Sequence, residues 1–449
     1  MVTGNMLIVI FLLSLAALFF LILKLKVEPF LSLIGVAFAT AVAIGIPIAE
    51  VPGIVTTGFG NTLAGVGILI GLGVIFGQFL AASGAVEKIA HAVLKGFGKQ
   101  KSPAGLALTG TAVSIPVFFD AAFVILSGLI KSLSKKTGIS VVTFVTALGV
   151  GLIVSHSMIP PTPGPLVVAE NTQADLGLFI LYAIICAIPA TLVGGYLYGM
   201  FVGKRVKTGA GFEEEDEIAV TKETPKKEIG TGISFLMLSL PIVLILGNTI
   251  SQLLFPDAII STIFGFVGDK NIALFISVIA AIIVLSPYIT AAKESLYSEA
   301  ISSAGIILLI TGAGGAFGAV INQSGIGEYL IATMQSWSIP VLLLAFIFSQ
   351  ILRASLGSAT VALVTTSSIM GPLALDLGIS PILLGLAICA GGIGLSLPND
   401  SGFWVVNKFG KLTIPQTLKA WTIGGFLAGL SALGMVYLLS LFSGILPGI

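Results

Sequence analysis

Four ionisable residues stand in stretches that otherwise carry almost no charge: Asp120, His156, Arg353 and Asp400. Arg353 opens the stretch Arg353-Ala-Ser-Leu-Gly-Ser-Ala-Thr360, so one guanidinium is followed at once by three hydroxyl side chains and a glycine. A planar guanidinium fork suits bidentate contact with a carboxylate, and hydroxyls suit a polyol. The expected binding groups here are Arg353, Ser355, Gly357, Ser358 and Thr360. Asp120 ends Ser114-Ile-Pro-Val-Phe-Phe-Asp120, and Asp400 sits in Pro398-Asn-Asp-Ser-Gly402. Either aspartate is a candidate proton carrier, with Asp120 preferred because Asp400, beside Asn399 and Ser401, suits substrate hydroxyls. The competing reading is a purely structural ion pair between Arg353 and one of the aspartates. His156 divides evenly between a proton-relay role and a hydrogen-bonded brace.

The elements that position these groups follow from composition. Of 449 residues, 56% are hydrophobic and only 9% charged, with mean hydropathy +1.12. That leaves too little polar surface to cover a soluble globule, so lipid is the expected solvent. Residues 51–86, 137–169, 176–203 and 300–327 contain no Asp, Glu, Lys or Arg, and each exceeds the roughly 20 residues of a spanning helix. A net charge of +1 gives no ground for a nucleic-acid partner. Ten full crossings are expected, at about 6–23, 29–46, 62–87, 140–168, 174–202, 232–254, 271–289, 300–329, 380–406 and 416–445. The apolar segments at about 103–130 and 339–372 read better as re-entrant hairpins. Lys95, Lys99 and Lys101 precede the first and Lys131, Lys135 and Lys136 follow it; a hairpin keeps both clusters on the cytoplasmic side, as basic loops prefer. Only Lys270 then falls outside and Arg353 within the second hairpin, leaving 19 of the 21 basic residues inside. Both termini fall outside.

A passage occurs twice. Gly71, Gly73, Phe76, Gly77, Ser83, Gly84 and Glu87 return 241 residues later as Gly312, Gly314, Phe317, Gly318, Ser324, Gly325 and Glu328. Gly138-Ile-Ser140 returns as Gly378-Ile-Ser380, and Pro160 and Gly164 as Pro398 and Gly402. Duplicated halves that share one substrate site are a common transporter plan. Five crossings per half is odd, so the halves enter from opposite faces. The expected fold is an all-α polytopic membrane protein of two inverted repeats, 1–203 and 232–449, joined by a polar cytoplasmic linker at 204–231. Each repeat carries five transmembrane helices, a re-entrant hairpin and a discontinuous helix, at about 140–168 and 380–406.

The discontinuity is written in the prolines. His156-Ser-Met-Ile-Pro-Pro-Thr-Pro-Gly-Pro165 places four prolines in six residues inside an apolar span, and each removes a backbone donor and clashes with the preceding turn. Unwound backbone at membrane depth survives only in protein or beside an aqueous cavity, where half-helix N-termini meet anions. Ser114, Thr162 and Gly164 therefore join the expected binding set with Asn399, Asp400 and Ser401. Gly71-Leu-Gly73 lacks the strand and acid of a dinucleotide fingerprint and reads as close helix packing. Cys186 and Cys389 read as inert packing residues, Asn61, Asn322 and Gln323 as interhelical hydrogen-bond formers. No metal or cofactor motif and no assembled nucleophile is present, which argues against an enzyme.

Several of these motifs together resemble one family. Gly58-Phe-Gly-Asn-Thr62, Ile115-Pro-Val-Phe-Phe-Asp120, His156 with Pro160–Pro165, Gly357-Ser-Ala-Thr-Val361 and Asn399-Asp-Ser-Gly-Phe-Trp404 look like the gluconate:proton symporters, over about residues 58–422. The resemblance implies proton-coupled uptake of gluconate or a related sugar acid through the bacterial cytoplasmic membrane. Through the wider ion transporter superfamily it implies paired hairpins, inverted repeats and a homodimer. The alternative is a sodium-coupled or exchange carrier of another organic anion, such as glycerate, D-serine or a di- or tricarboxylate; a di- or tricarboxylate should need more cations than the single arginine offered by the membrane region.

Overall fold

The structure is a computed structural model, described over residues 5–206, 228–324, 340–371, 379–398 and 400–449. Its first half runs through α1 (Asn5–Phe19), α2 (Pro29–Ile44), α3 (Val51–Ala82), α4 (Ala85–Lys95), α5 (Ser102–Val113), α6 (Phe119–Thr137), α7 (Val141–Met158), α8 (Pro163–Asn171), α9 (Leu176–Ala190) and α10 (Tyr198–Arg205). The second half runs through α11 (Thr231–Leu254), α12 (Ile259–Val267), α13 (Lys270–Leu285), α14 (Lys293–Gln323), α15 (Val341–Leu356), α16 (Ala359–Met370), α17 (Pro381–Ile393), α18 (Ser401–Phe409), α19 (Ile414–Thr417) and α20 (Ile423–Ser440). Among the described residues there is no strand.

Among the described residues seven helices are long and apolar enough to cross a membrane, against the ten expected. The three that fall short are α1, which passes into a π-helical turn at Phe20–Lys24, α2, with 16 residues, and α17, with 13. Two boundaries also move. α3 begins at Val51 rather than about 62, because Pro52 fits a helix's first turn and the apolar run continues unbroken. α14 begins at Lys293 rather than about 300, taking up a charged first turn. The linker at 204–231 lies mostly outside the described residues.

The recurring Gly-Ile-Ser is helix punctuation. Gly138 ends α6 at φ 74°, a conformation that costs glycine little, and Ser140 caps α7 by accepting the Val142 N–H at 3.3 Å. Ser380 does the same for α17, accepting the Leu383 N–H at 3.4 Å; Gly378 lies outside the described residues. The recurring glycines set helix spacing instead. A Cβ on Gly77 would lie 2.3 Å from the Pro116 carbonyl oxygen, and one on Gly318 2.6 Å from that of Ser368. α3 and α14 thus press their backbones against the segments that carry the site, and against each other at Gly58 and Gly315.

The centre of the molecule is made by the broken helices. Every residue of α7 after Val141, and every residue of α17 after Pro381, is buried. Large apolar side chains such as Ile259, Phe266, Ile283 and Leu441 face outward from the other helices, the inverse of a soluble globule and the surface a bilayer requires.

Candidate functional site

Both expected helix breaks exist. α7 stops at Met158 and α8 starts at Pro163; α17 stops at Ile393 and α18 starts at Ser401. In the second break Leu395 holds φ +50°, a left-handed conformation costly for a branched side chain. Two helix pairs flank the breaks. α5 and α6 are parted by residues 114–118, and α15 and α16 by Gly357 and Ser358. Gly357 adopts φ 67° and its N–H donates to the Arg353 carbonyl, ending α15 one turn after the arginine. Ser358 then caps α16.

Arg353 and Asp400 form a buried ion pair, 1% and 4% exposed, through Nη2 and Oδ2. The same Oδ2 accepts from the Ser396 hydroxyl, and Oδ1 accepts the Gly402 N–H at 3.0 Å, so Asp400 also caps α18. A further shell holds Ser396: the Trp421 indole N–H donates to its hydroxyl at 2.7 Å, and Thr422 donates to its carbonyl at 2.5 Å. Trp421 and Thr422 reach inward from a π-helical segment, Leu418–Thr422, that leads into α20. Burying two charges is repaid only when geometry and supporting hydrogen bonds are good, and every Asp400 oxygen is engaged here. Arg353 is not exhausted. Its Nε and Nη1 are buried without a hydrogen-bond partner among the described residues.

Arg353, Asp400, Gly402 and Trp421 line a cavity of about 390 Å³, within the usual range for small-molecule sites. Asp120, exposed near the start of α6, lines the same cavity, with one long contact from the Ser401 hydroxyl at 3.4 Å. His156, 8% exposed, also lines the space; its Nδ1 has no partner among the described residues and its ring sits 5.9 Å from that of Phe118. Glu28, at the start of α2, and Thr311, on α14, complete the polar lining.

Of the expected site residues, the cavity gathers Asp120, His156, Arg353, Ser358, Thr360, Asp400 and Ser401. Others pack elsewhere. The Ser114 hydroxyl is spent on the Val117 carbonyl at 3.0 Å and that of Thr162 on Ile159 at 2.8 Å, so each braces its own break. A Cβ on Gly164 would lie 2.8 Å from Leu363, which makes it a packing position. Gly357 serves as the helix stop. Asn399 and the Ser355 side chain lie outside what is described. The sequence reading missed Ser396 and Trp421, which lie in apolar runs without a spacing signal, as well as Thr311 and Glu28. The Glu28-Pro29 pair was a helix-start signal, and Glu28 does cap α2 by accepting the Phe30 N–H at 2.7 Å.

Comparison with known proteins agrees with this architecture. The profile of the GntP family permeases matches residues 6–442. The chain is 36% identical over 439 residues to an uncharacterized permease of Haemophilus influenzae, covering 92% of this chain and 90% of that one. It is 33% identical over 450 residues to the gluconate permease of Bacillus subtilis, covering 96% and 98%. In fold it is similar to the crystal structure of the Alcanivorax borkumensis YdaH transporter, described as having an unusual topology, with TM-score 0.60, 17% identity and coverage of 88% and 87%.

Proposed function

From the premise that the chain belongs to the GntP family of permeases, and so is a multi-pass permease of the bacterial inner membrane rather than an enzyme, we propose that it imports gluconate or a related hydroxy acid together with a proton. The observation that carries this reading is the division of labour around the cavity. Arg353 is held rigid by Asp400 while two of its donor groups remain free, which is what a carboxylate anchor requires. Ser358, Thr360 and Ser401 line the same space and suit substrate hydroxyls. Glu28, Asp120 and Asp400 outnumber the single arginine in the lining, so an entering anion meets net repulsion unless positive charge enters with it. A proton on Asp120, whose carboxylate no ion pair holds among the described residues, supplies that charge. Asp400 is then an orienting group for Arg353, and His156 the second candidate in the proton path.

The transport cycle in this proposal alternates access between two inverted repeats, 1–203 and 232–449, with hairpins at about 103–130 and 339–372 and a homodimer as the working unit. The ends of α5 and α6, and of α15 and α16, support the hairpin reading. In proteoliposomes holding the purified protein, labelled gluconate should accumulate above its external concentration when a proton gradient is imposed, and should only equilibrate without one. Accumulation driven equally by a sodium gradient at uniform pH would reject proton coupling; preferential accumulation of glycerate or D-serine would reject the sugar acid.

A further inference from the structure

The α14 wall of the cavity is made of Ile306, Ile307, Ile310 and Thr311. Three of these are apolar, and the fourth has a hydroxyl that is buried without a partner, on a residue that is 0% exposed. Thr365 and Thr366 on α16 are likewise buried without a partner among the described residues, but of the three only Thr311 lines this cavity. A Thr hydroxyl inside a helix ordinarily donates to the carbonyl four residues back, and Thr56, Thr109, Thr146 and Thr172 all do so here, at 2.8–2.9 Å. An unsatisfied buried hydroxyl is a net cost to folding, and valine would fill the same volume without that cost. The duplicated passage shows the apolar solution in the other half. Ile70 precedes Gly71 as Thr311 precedes Gly312, and Ile70 packs at 0% exposure among Val66 and Val74.

Among the described residues that line this cavity, the other buried polar atoms without a partner are Arg353 Nε and Nη1 and His156 Nδ1. A ligand that satisfies them together carries a carboxylate for the guanidinium and, further along its carbon chain, a group that can both donate and accept. We propose that Thr311 is a specificity-determining residue that exchanges a hydrogen bond with a hydroxyl on the substrate chain, so that the cavity selects hydroxy acids over plain carboxylic acids of the same length. This rests on the sugar-acid reading given above and adds a residue that reads the sugar. A site built to bond a substrate hydroxyl penalises analogues that lack it, because its own polar group is then left unpaired.

The test is equilibrium binding to purified protein by titration calorimetry, with gluconate, the series of monodeoxygluconates and hexanoate. Thr311→Val should weaken gluconate about tenfold, the size of one neutral hydrogen bond, and leave hexanoate within twofold of the parent. Thr311→Ser should stay within threefold of the parent for gluconate. One monodeoxy analogue should bind the parent about tenfold more weakly than gluconate and lose nothing further in Thr311→Val, the signature of two deletions removing one interaction. Unfolding temperatures without ligand identify a variant that has simply lost its fold, and Thr311→Ala then serves as the second variant lacking the hydroxyl. A parent that binds no sugar acid overturns the underlying reading and this inference with it. A parent that binds gluconate, with hydroxyl-less variants that bind it equally or lose gluconate and hexanoate alike, overturns this inference alone.

Discussion

The cavity's lining from the first half of the chain and its lining from the second half end in opposite states. On the second-half side, Arg353 and Asp400 are buried, paired and braced by Ser396, Gly402 and Trp421. On the first-half side, Asp120 faces the space with a single long contact, and Ser114, the hydroxyl that begins its segment, turns away to brace the backbone. The skeleton is alike, a helix pair with a short break beside a broken helix, but the charge is fixed on one side and free on the other. A carboxylate anchor has to be immobile, since each rotamer left free is entropy lost on binding. A proton carrier has to change charge state, which a carboxylate locked to an arginine resists.

This contrast is broken most directly at Arg353. Replacing Arg353 by Ala should reduce gluconate uptake by more than a hundredfold. Arg353→Lys, which keeps the charge and loses the fork, should retain a measurable fraction with affinity weakened roughly tenfold to a hundredfold. Uptake by either variant at the parent's affinity would remove the anchor.

Asp400→Asn and Asp120→Asn should then separate the two sides. The first leaves a buried guanidinium without its counter-charge and should cost about 3–5 kcal/mol of stability, seen as a lowered unfolding temperature and poor recovery of folded protein. The second should leave stability within about 0.5 kcal/mol, as for substitutions away from packed features, while abolishing accumulation driven by a proton gradient and preserving exchange at uniform pH. If both variants still concentrate gluconate as the parent does, neither aspartate carries the proton and His156 becomes the candidate.

The bracing shell sharpens the comparison at smaller scale. Ser396→Ala removes one hydrogen bond to Asp400 and leaves the Trp421 indole N–H unpaired, an effect of about 1–2 kcal/mol. Ser114→Ala removes only a turn hydrogen bond on the opposite side and should cost about 1 kcal/mol of stability. Ser396→Ala should therefore weaken gluconate binding severalfold, whereas Ser114→Ala should leave affinity unchanged. Equal effects on affinity would mean that the two sides are not functionally distinct. The glycines provide the smallest test. A methyl group on Gly71 would meet no atom within 4 Å, so Gly71→Ala should leave stability unchanged or raise it by up to about 1 kcal/mol. Gly77→Ala, aimed at the Pro116 carbonyl, should destabilise measurably in the same unfolding assay.

Much of this was legible in the chain itself. The apolar runs without charge announced membrane helices, the four prolines between Pro160 and Pro165 announced a break, and the motifs from Gly58 to Trp404 announced the family, since each signal is local and needs only neighbouring residues. Helix lengths were less legible. α3 and α14 run further than hydropathy alone suggested, because proline and charged residues are acceptable in a first turn, and α2 and α17 fall short because helix length is set by their caps and breaks as much as by apolarity.

What the sequence by itself determined is the inventory: a membrane protein with a passage that occurs twice, whose charges within apolar stretches, Asp120, Arg353 and Asp400, sit near backbone that cannot remain helical. Only the tertiary structure decided how that inventory divides. It paired Arg353 with Asp400 rather than Asp120, spent the Ser114 and Thr162 hydroxyls on their own backbone, and brought Ser396, Trp421 and Thr311 to the site from the break after α17, the π-helical turn before α20 and α14. The physical reason is range. Proline, glycine and hydropathy act on the chain within a turn or two, whereas the choice of partner for a buried charge depends on which side chains packing brings within about 3 Å, and sequence spacing carries no record of that.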